Sequence, residues 1–374
     1  MQSHSSRLSM RAPTLRTREA GFSLVELMVA LGLSLLLLAG VVAIFSSSRV
    51  AYESTDQLSR VQETGRFALD QLSRHIRSAG FTGCSRQPTV IASALNLETN
   101  ATLEYGFVSS PPVQGYDASG SGTWVPSLHS NIEALTPSEN SDVLVVRGAR
   151  VDVVPMQVTQ DMVGDDGITL DPEGDLIVKS AGSVNGIDPD VGSVLMAYSC
   201  EGVSFFFANA AGTSLVRPIS GAIPGNVTDS TSYPFLKAAE VVPVETVIYY
   251  LDEASSNAPN PPVPNPMTSL WRKVGEGVPE ELVQGVEQMQ VSYGVDLQGD
   301  RVVDDYLPAS TVANWDRVVS VRIAMLVSSV QEYGNDRDAR TYQVLDTEVP
   351  PPLDRRLRDV FSTTVSIRNR VRIE

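Results

Sequence analysis

A chain of 374 residues is long enough for a substantial core and for about one to three domains. A hydrophobic share of 42% and a charged share of 19% are those of a folded protein and exclude a disordered one. The net charge of −16 argues against a general electrostatic grip on nucleic acid or anionic lipid. Charge is unevenly spread. Residues 1–21 hold Arg7, Arg11, Arg16 and Arg18 against the single acid Glu19, a net +3, so the chain beyond them stands at −19.

After this basic stretch comes Gly21-Phe22-Ser23-Leu24-Val25-Glu26-Leu27-Met28, then an apolar run to Phe45. The 19 residues from Leu27 to Phe45 carry no charge. As a helix they span about 28 Å, enough for the hydrocarbon layer of a membrane. The basic flank precedes the run, so the positive-inside rule keeps residues 1–21 cytoplasmic and puts the rest across the membrane. An ordinary secretory signal is cut after its apolar region, beside small residues. Here no Ala-x-Ala pattern follows Phe45, and a glycine stands before the run instead. A cut after Gly21 retains the apolar segment as the mature N-terminus. Glu26 is the other anomaly, because a carboxylate at the head of an apolar span is costly without a partner. Two partners are available: the positive end of its own helix, and the free α-amino group of Phe22 on a neighbouring copy. A buried pair of the second kind sets register between packed helices.

The octapeptide and its apolar continuation resemble the class III signal of type IV prepilins and of type II secretion pseudopilins. The resemblance implies cleavage between Gly21 and Phe22 by a prepilin peptidase, N-methylation of Phe22, and an assembly contact made by Glu26. Many major pilins of this kind carry a proline midway along the apolar helix. This chain has none between Gly21 and Gln87, which leaves Gly32 and Gly40 as the positions able to loosen it.

Beyond Phe45 the sequence turns polar while the helical period continues. Leu58, Val61, Ala68, Leu69, Leu72, Ile76 and Ala79 recur at mainly three- and four-residue steps, with charged residues on the other faces. This predicts an amphipathic helix that packs on a globular body and stops at Gly80. A continuous helix from about Ser23 to Ala79 would be roughly 85 Å long. The segment from Gly65 through Gly80 to Cys84 resembles the helix end of the PilW family of minor pilins, and the J-class pseudopilin of type II secretion is similar there.

From Phe81 onward, short β-prone runs alternate with Gly, Pro, Asn, Asp and Ser clusters. Predicted strands are 142–147, 175–179, 193–199, 203–208, 245–251, 269–274, 286–293, 317–328 and 361–368. The stretch 257–267 reads as an exposed loop. The runs 315–323 and 356–370 also resemble PilW, so the likeness covers 21–84 and about 286–370. It implies an α+β, type IV pilin-like fold: a long N-terminal helix packed on a mainly antiparallel β-rich head. The expected organisation is a leader (1–21), a transmembrane and filament-core helix (22–45), an amphipathic helix (46–80) and a head (81–374).

Two cysteines, Cys84 and Cys200, are too few for a disulfide framework or a zinc ribbon. Export favours one disulfide between them over two buried thiols. Three histidines, His4, His75 and His129, form no pattern of a triad or a metal cluster, and no phosphate loop is present. Nothing points to an enzyme or an organic cofactor. One acidic run, 296–305, places oxygens at alternating positions. In an EF-hand frame Asp296, Gln298, Asp300 and Asp304 fall at ligand positions for Ca²⁺, but Arg301 takes the glycine place and Leu307 the final glutamate place. A solvated β-turn is favoured over a weak calcium loop.

The resemblance implies a minor pilin of a bacterial inner membrane, single-pass with a periplasmic head, that reaches the cell surface in the pilus. Its partners would be the prepilin peptidase, other minor pilins, the major pilin and the pilus assembly platform, with no nucleic acid. It would help initiate assembly at or near the tip. The competing readings are a J-class pseudopilin of a type II secretion system and an adhesin or ligand-binding module carried on a pilin anchor.

Overall fold

The computed structural model describes residues 23–83, 90–95, 111–159, 176–179, 193–211, 214–216, 226, 237–255, 267–333 and 336–369. Its first element is α1 (Leu24–Ser78), an unbroken helix of 55 residues. Packing divides the chain into two units, Met1–Thr55 and Asp56–Glu374, with the boundary inside α1.

In the first unit, Ser23 starts the helix. Its Oγ accepts the N–H of Val25 at 3.3 Å and its carbonyl accepts that of Leu27 at 3.1 Å, using donors a helix start leaves unpaired. Every described side chain from Ser23 to Phe45 is exposed. Arg49 pairs with Glu53 one turn on, a surface pair of the kind that contributes only a few tenths of a kcal/mol.

Among its described residues the second unit holds the end of α1 and eighteen strands. In chain order they begin β1 (Val90–Ser93), β2 (Val113–Ala118), β3 (Trp124–Val125), the single-turn helix α2 (Ser130–Glu133), β4 (Val143–Ala149), β5 (Met156–Val158) and β6 (Leu176–Lys179). Next are β7 (Ser193–Tyr198), β8 (Gly202–Ala211), β9 (Ser214–Val216), β10 (Glu240–Glu253), β11 (Thr268–Val274) and β12 (Glu280–Gln284). The last are β13 (Val286–Val295), β14 (Asp305–Pro308), β15 (Val318–Ser328), β16 (Tyr342–Val344), β17 (Thr347–Val349) and β18 (Arg358–Ser366). All nine predicted strands appear, with ends shifted by up to five residues. The predicted loop 257–267 lies outside the described residues except for Met267, which is buried.

The first twelve strands form one sheet, and β14-β13-β15-β18 form a second, four-stranded one. Pairing is antiparallel throughout except between β1 and β8. β10 is the longest strand and changes partners along its length. It pairs β7 from Glu240 to Pro243 and β4 from Val244 to Tyr249. Pro243, which has no N–H to give a ladder, sits at the changeover.

The main core lies where α1 meets both sheets. Val61, Ala68, Leu72, Ile76 and Ala79 of the helix segment are buried with Leu144, Val247, Tyr249 and Leu251 from the large sheet and Met289, Val321, Ile323 and Val365 from the small one. This is the stripe read from the sequence except that Leu58, one of its expected members, is exposed, and each buried Val, Leu or Ile contributes about 1.5–3 kcal/mol by leaving water. Two glycines permit the close approach. Gly65 faces the ring of Phe361, and a Cβ on Gly148 would stand 2.5 Å from the carbonyl oxygen of Ser78. Gly80 ends the helix in the left-handed region at φ 64°, and its N–H donates to the Arg147 carbonyl at 3.0 Å. The outer face of the small sheet is part-covered by the β16–β17 hairpin, with Tyr342 and Val344 over Ala324 and Leu326.

Candidate functional site

The chemistry-bearing residues fall into three places. The first is the N-terminal part of α1. Glu26 is exposed in its first turn, where a carboxylate complements the helix dipole. Gly21 and Phe22 lie outside the described residues. The apolar window of α1 is long enough to cross a membrane, and none of it is buried within the protein. Leu36, Leu37, Ile44 and Phe45 are each at least 70% exposed. A continuous apolar surface of this kind exceeds what soluble monomers leave in water, and only lipid or other apolar helices can cover it.

The second place is the seam between α1 and the large sheet. His75, beside the apolar stripe, is buried, and its Nδ1 lies 2.7 Å from the Tyr249 hydroxyl and 3.1 Å from the Gln71 carbonyl. Its Nε2 is 3.5 Å from Glu245, which also lies 3.9 Å from Arg150. Burial pushes the Tyr249 hydroxyl up, and the Arg272 guanidinium pulls against it. The polar chain fixes the helix on β10 by direction as well as by area.

The third place is the acidic run after β13. Asp296 is buried, and its two oxygens accept the N–H groups of Gly299 at 2.5 Å and Arg301 at 2.8 Å. Asp304 accepts from the N–H of Leu297 at 2.6 Å and from the Gln298 amide at 2.7 Å. Asp300 accepts the N–H of Val302 at 2.9 Å. Carboxylate oxygens of Asp296, Asp300 and Asp304, three of the four residues an EF-hand frame would offer to calcium, thus accept from the loop's own donors. No group of three or more His, Cys, Asp or Glu suited to a metal occurs among the described residues.

Of the cysteines, Cys200 lies at the bend between β7 and β8, while Cys84 lies outside the described residues. The chain just before Cys84 does run beside Tyr198. The Phe81 ring meets the Tyr198 ring edge-on at 5.3 Å, and Gly83 has that ring where a Cβ would stand.

One cluster has no counterpart in the sequence reading. Arg358, 2% exposed in its side chain, bonds Glu287 at 2.6 Å and Asp354 at 2.5 Å. Asp338 accepts from the Tyr342 hydroxyl at 2.6 Å and from Arg340 at 2.9 Å. Burial acts to raise the Asp338 carboxyl, but those two donors outweigh it and hold it at about 2. The alternating charges in 338–358 were the available signal, yet nothing in their spacing tells a buried network from a solvated face.

Comparison with known proteins bears on both ends of the chain. Residues 248–369 match the family described as Type IV Pilus-assembly protein W. Residues 16–42 match the prokaryotic N-terminal methylation motif. Among solved structures the chain is similar to "Type IV-like pilin TTHA1219 from Thermus thermophilus", at 17% identity over 48% of this chain and 84% of that one. The TM-score of 0.21 is too low to support an inference about this chain. No curated protein matches. The two family matches bracket the exposed helix at one end and the small sheet with its buried ion network at the other.

Proposed function

We propose that this chain, a PilW-family type IV pilus minor pilin by its two family matches, is cut between Gly21 and Phe22 and methylated on the new Phe22 amine by a prepilin peptidase. The apolar part of α1 then holds it in the inner membrane as a single span. The head faces the periplasm, and Cys84 and Cys200 close one disulfide there. With other minor pilins it initiates a pilus at or near the tip, where the major pilin follows and the assembly platform drives extrusion. Its role is an assembly contact and not a catalytic one.

The observation that carries this reading is a helix whose apolar segment has no cover among the described residues, and a head built on that helix's continuation. Such a segment is suited first to lipid and then to a bundle of like helices. In the bundle Glu26 meets the methylated amine of a neighbour, a charge pair in apolar surroundings that fixes axial register. Glu26→Ala tests this in cells that lack the natural gene. Membrane insertion is expected to stay intact while recovery of the protein in sheared filaments falls at least tenfold. Normal incorporation of the alanine variant would contradict the proposed contact.

A further inference from the structure

The loop between β13 and β14 turns its acids onto its own backbone and presents a cation. The bonds from Asp296 hold Arg301 at φ 68°, an uncommon conformation for a side-chain-bearing residue. The Arg301 side chain lines a pocket of about 260 Å³. The other walls come from Val303 of the same loop, from Val319 and Ser320 at the start of β15, and from Ser366 at the end of β18 with Ile367 and Arg368 just beyond it. These segments meet because Ser320 pairs with Ser366 in the sheet, and the Ile367 N–H donates to the Val319 carbonyl at 2.9 Å.

The lining holds two guanidinium groups and no carboxylate. Some arginines of the head pair with acids, Arg272 with Glu280, Arg340 with Asp338, Arg355 with Glu332, Arg358 with Glu287 and Asp354, while Arg317 bonds the Leu297 carbonyl and Arg322 stacks over the Tyr306 ring. Arg301 and Arg368 have no ion-pair partner among the described residues, in a chain where 44 acids face 28 basic residues. Two like charges on one small pocket repel each other, and an anion between them reverses the sign of that interaction. The planar fork of a guanidinium matches the two oxygens of a carboxylate.

We propose that this pocket binds a carboxylate, held between Arg301 and Arg368. Its source is either an acidic side chain of a neighbouring pilus subunit or a small free carboxylate. Recognition itself does not depend on the pilus reading, whereas the subunit source does. The test uses the full chain in detergent, with malonate as probe against chloride at equal ionic strength. Malonate should raise the melting temperature of the wild type saturably. The Arg301→Gln/Arg368→Gln variant should need at least tenfold more, and the doubly Lys-substituted variant should keep part of the response. Both positions are exposed, so the unliganded variants should melt with the wild type, which separates lost binding from lost folding. An equal malonate response in the wild type and the Gln variant would overturn the proposal. A photo-cross-linker at Ser366 in piliated cells then distinguishes the sources. Capture of an acidic segment of another subunit assigns a side chain, and a malonate response without capture assigns a free carboxylate.

Discussion

The buried carboxylate of Asp142 accepts the backbone N–H of Val291 at 2.8 Å, so a residue at the head of β4 in the large sheet is tied to the middle of β13 in the small one. Its other oxygen accepts from the Ala118 N–H at 2.9 Å, and its own N–H donates to the Met289 carbonyl at 3.0 Å. One side chain thus joins β2, β4 and β13. Burial raises its pKa from 3.8 to about 7 against the pull of those two donors.

That shift gives a pH dependence with a definite sign. Between pH 3.8 and about 7 the folded state keeps a proton that the unfolded state has released, so this group's contribution to stability falls as pH rises through that window. The full span is on the order of 4 kcal/mol. Melting of the wild type from pH 4 to pH 7 should show the decline. Asp142→Asn should be less stable at pH 4, since one N–H loses its acceptor, and should lack this part of the slope. A wild-type profile no steeper than that of the Asn variant would refute the assignment.

Leu72 is fully buried in the seam between α1 and the two sheets, whereas Leu58 on the same helix is 42% exposed. Leu72→Ala should cost about 2–5 kcal/mol, and Leu58→Ala less than about 1 kcal/mol. Denaturant unfolding of both variants checks the order. Equal costs would mean the helix does not pack on the head as described.

Arg358 is enclosed by Glu287, Asp354 and Asp338. Arg358→Ala leaves Glu287 and Asp354 with only the longer Arg356 contacts of 3.7 and 3.9 Å and should cost about 3–5 kcal/mol. The loss should persist at high salt, because buried pairs are weakly screened. A loss that vanishes in 1 M salt, where the screening length is about 3 Å, would place this network at the surface.

Asp296 tests the nature of the acidic loop. If its oxygens serve the Gly299 and Arg301 donors, Asp296→Ala should cost about 1–3 kcal/mol, and excess calcium or a chelator should leave the wild-type melting point where it is. A calcium-dependent rise that the alanine variant loses would restore the cation-loop reading.

The legible parts of the fold were those set by local pattern. The uncharged run 27–45, the apolar stripe to Ala79 and Gly80 define α1 almost to the residue. Strong β-prone runs such as Val318–Ser328 stand out in the same way. Several short strands did not. β12 reads Glu-Glu-Leu-Val-Gln, which suits a helix as well, and β14 ends on a proline. β2 carries Gly115, a poor strand residue that is needed because the Tyr293 ring fills the space a Cβ would take. β12 and β14 each form on the strand just before them, β11 and β13, whereas Gly115 is placed by Tyr293, far away in the sequence. The same holds for polar sites. His75 meets a tyrosine 174 residues away, and the alternating acids of 296–304 suggested a metal frame because residue type does not reveal that the bonding partners are backbone N–H groups. The N-terminal motif was legible because its residues are contiguous in the sequence.

The most direct measurement is mass spectrometry of the N-terminal peptide from protein recovered in sheared filaments. The expected first residue is Phe22 carrying one methyl group on its α-amine. An intact Met1 terminus, or a cut after the apolar run beyond Phe45, would contradict it.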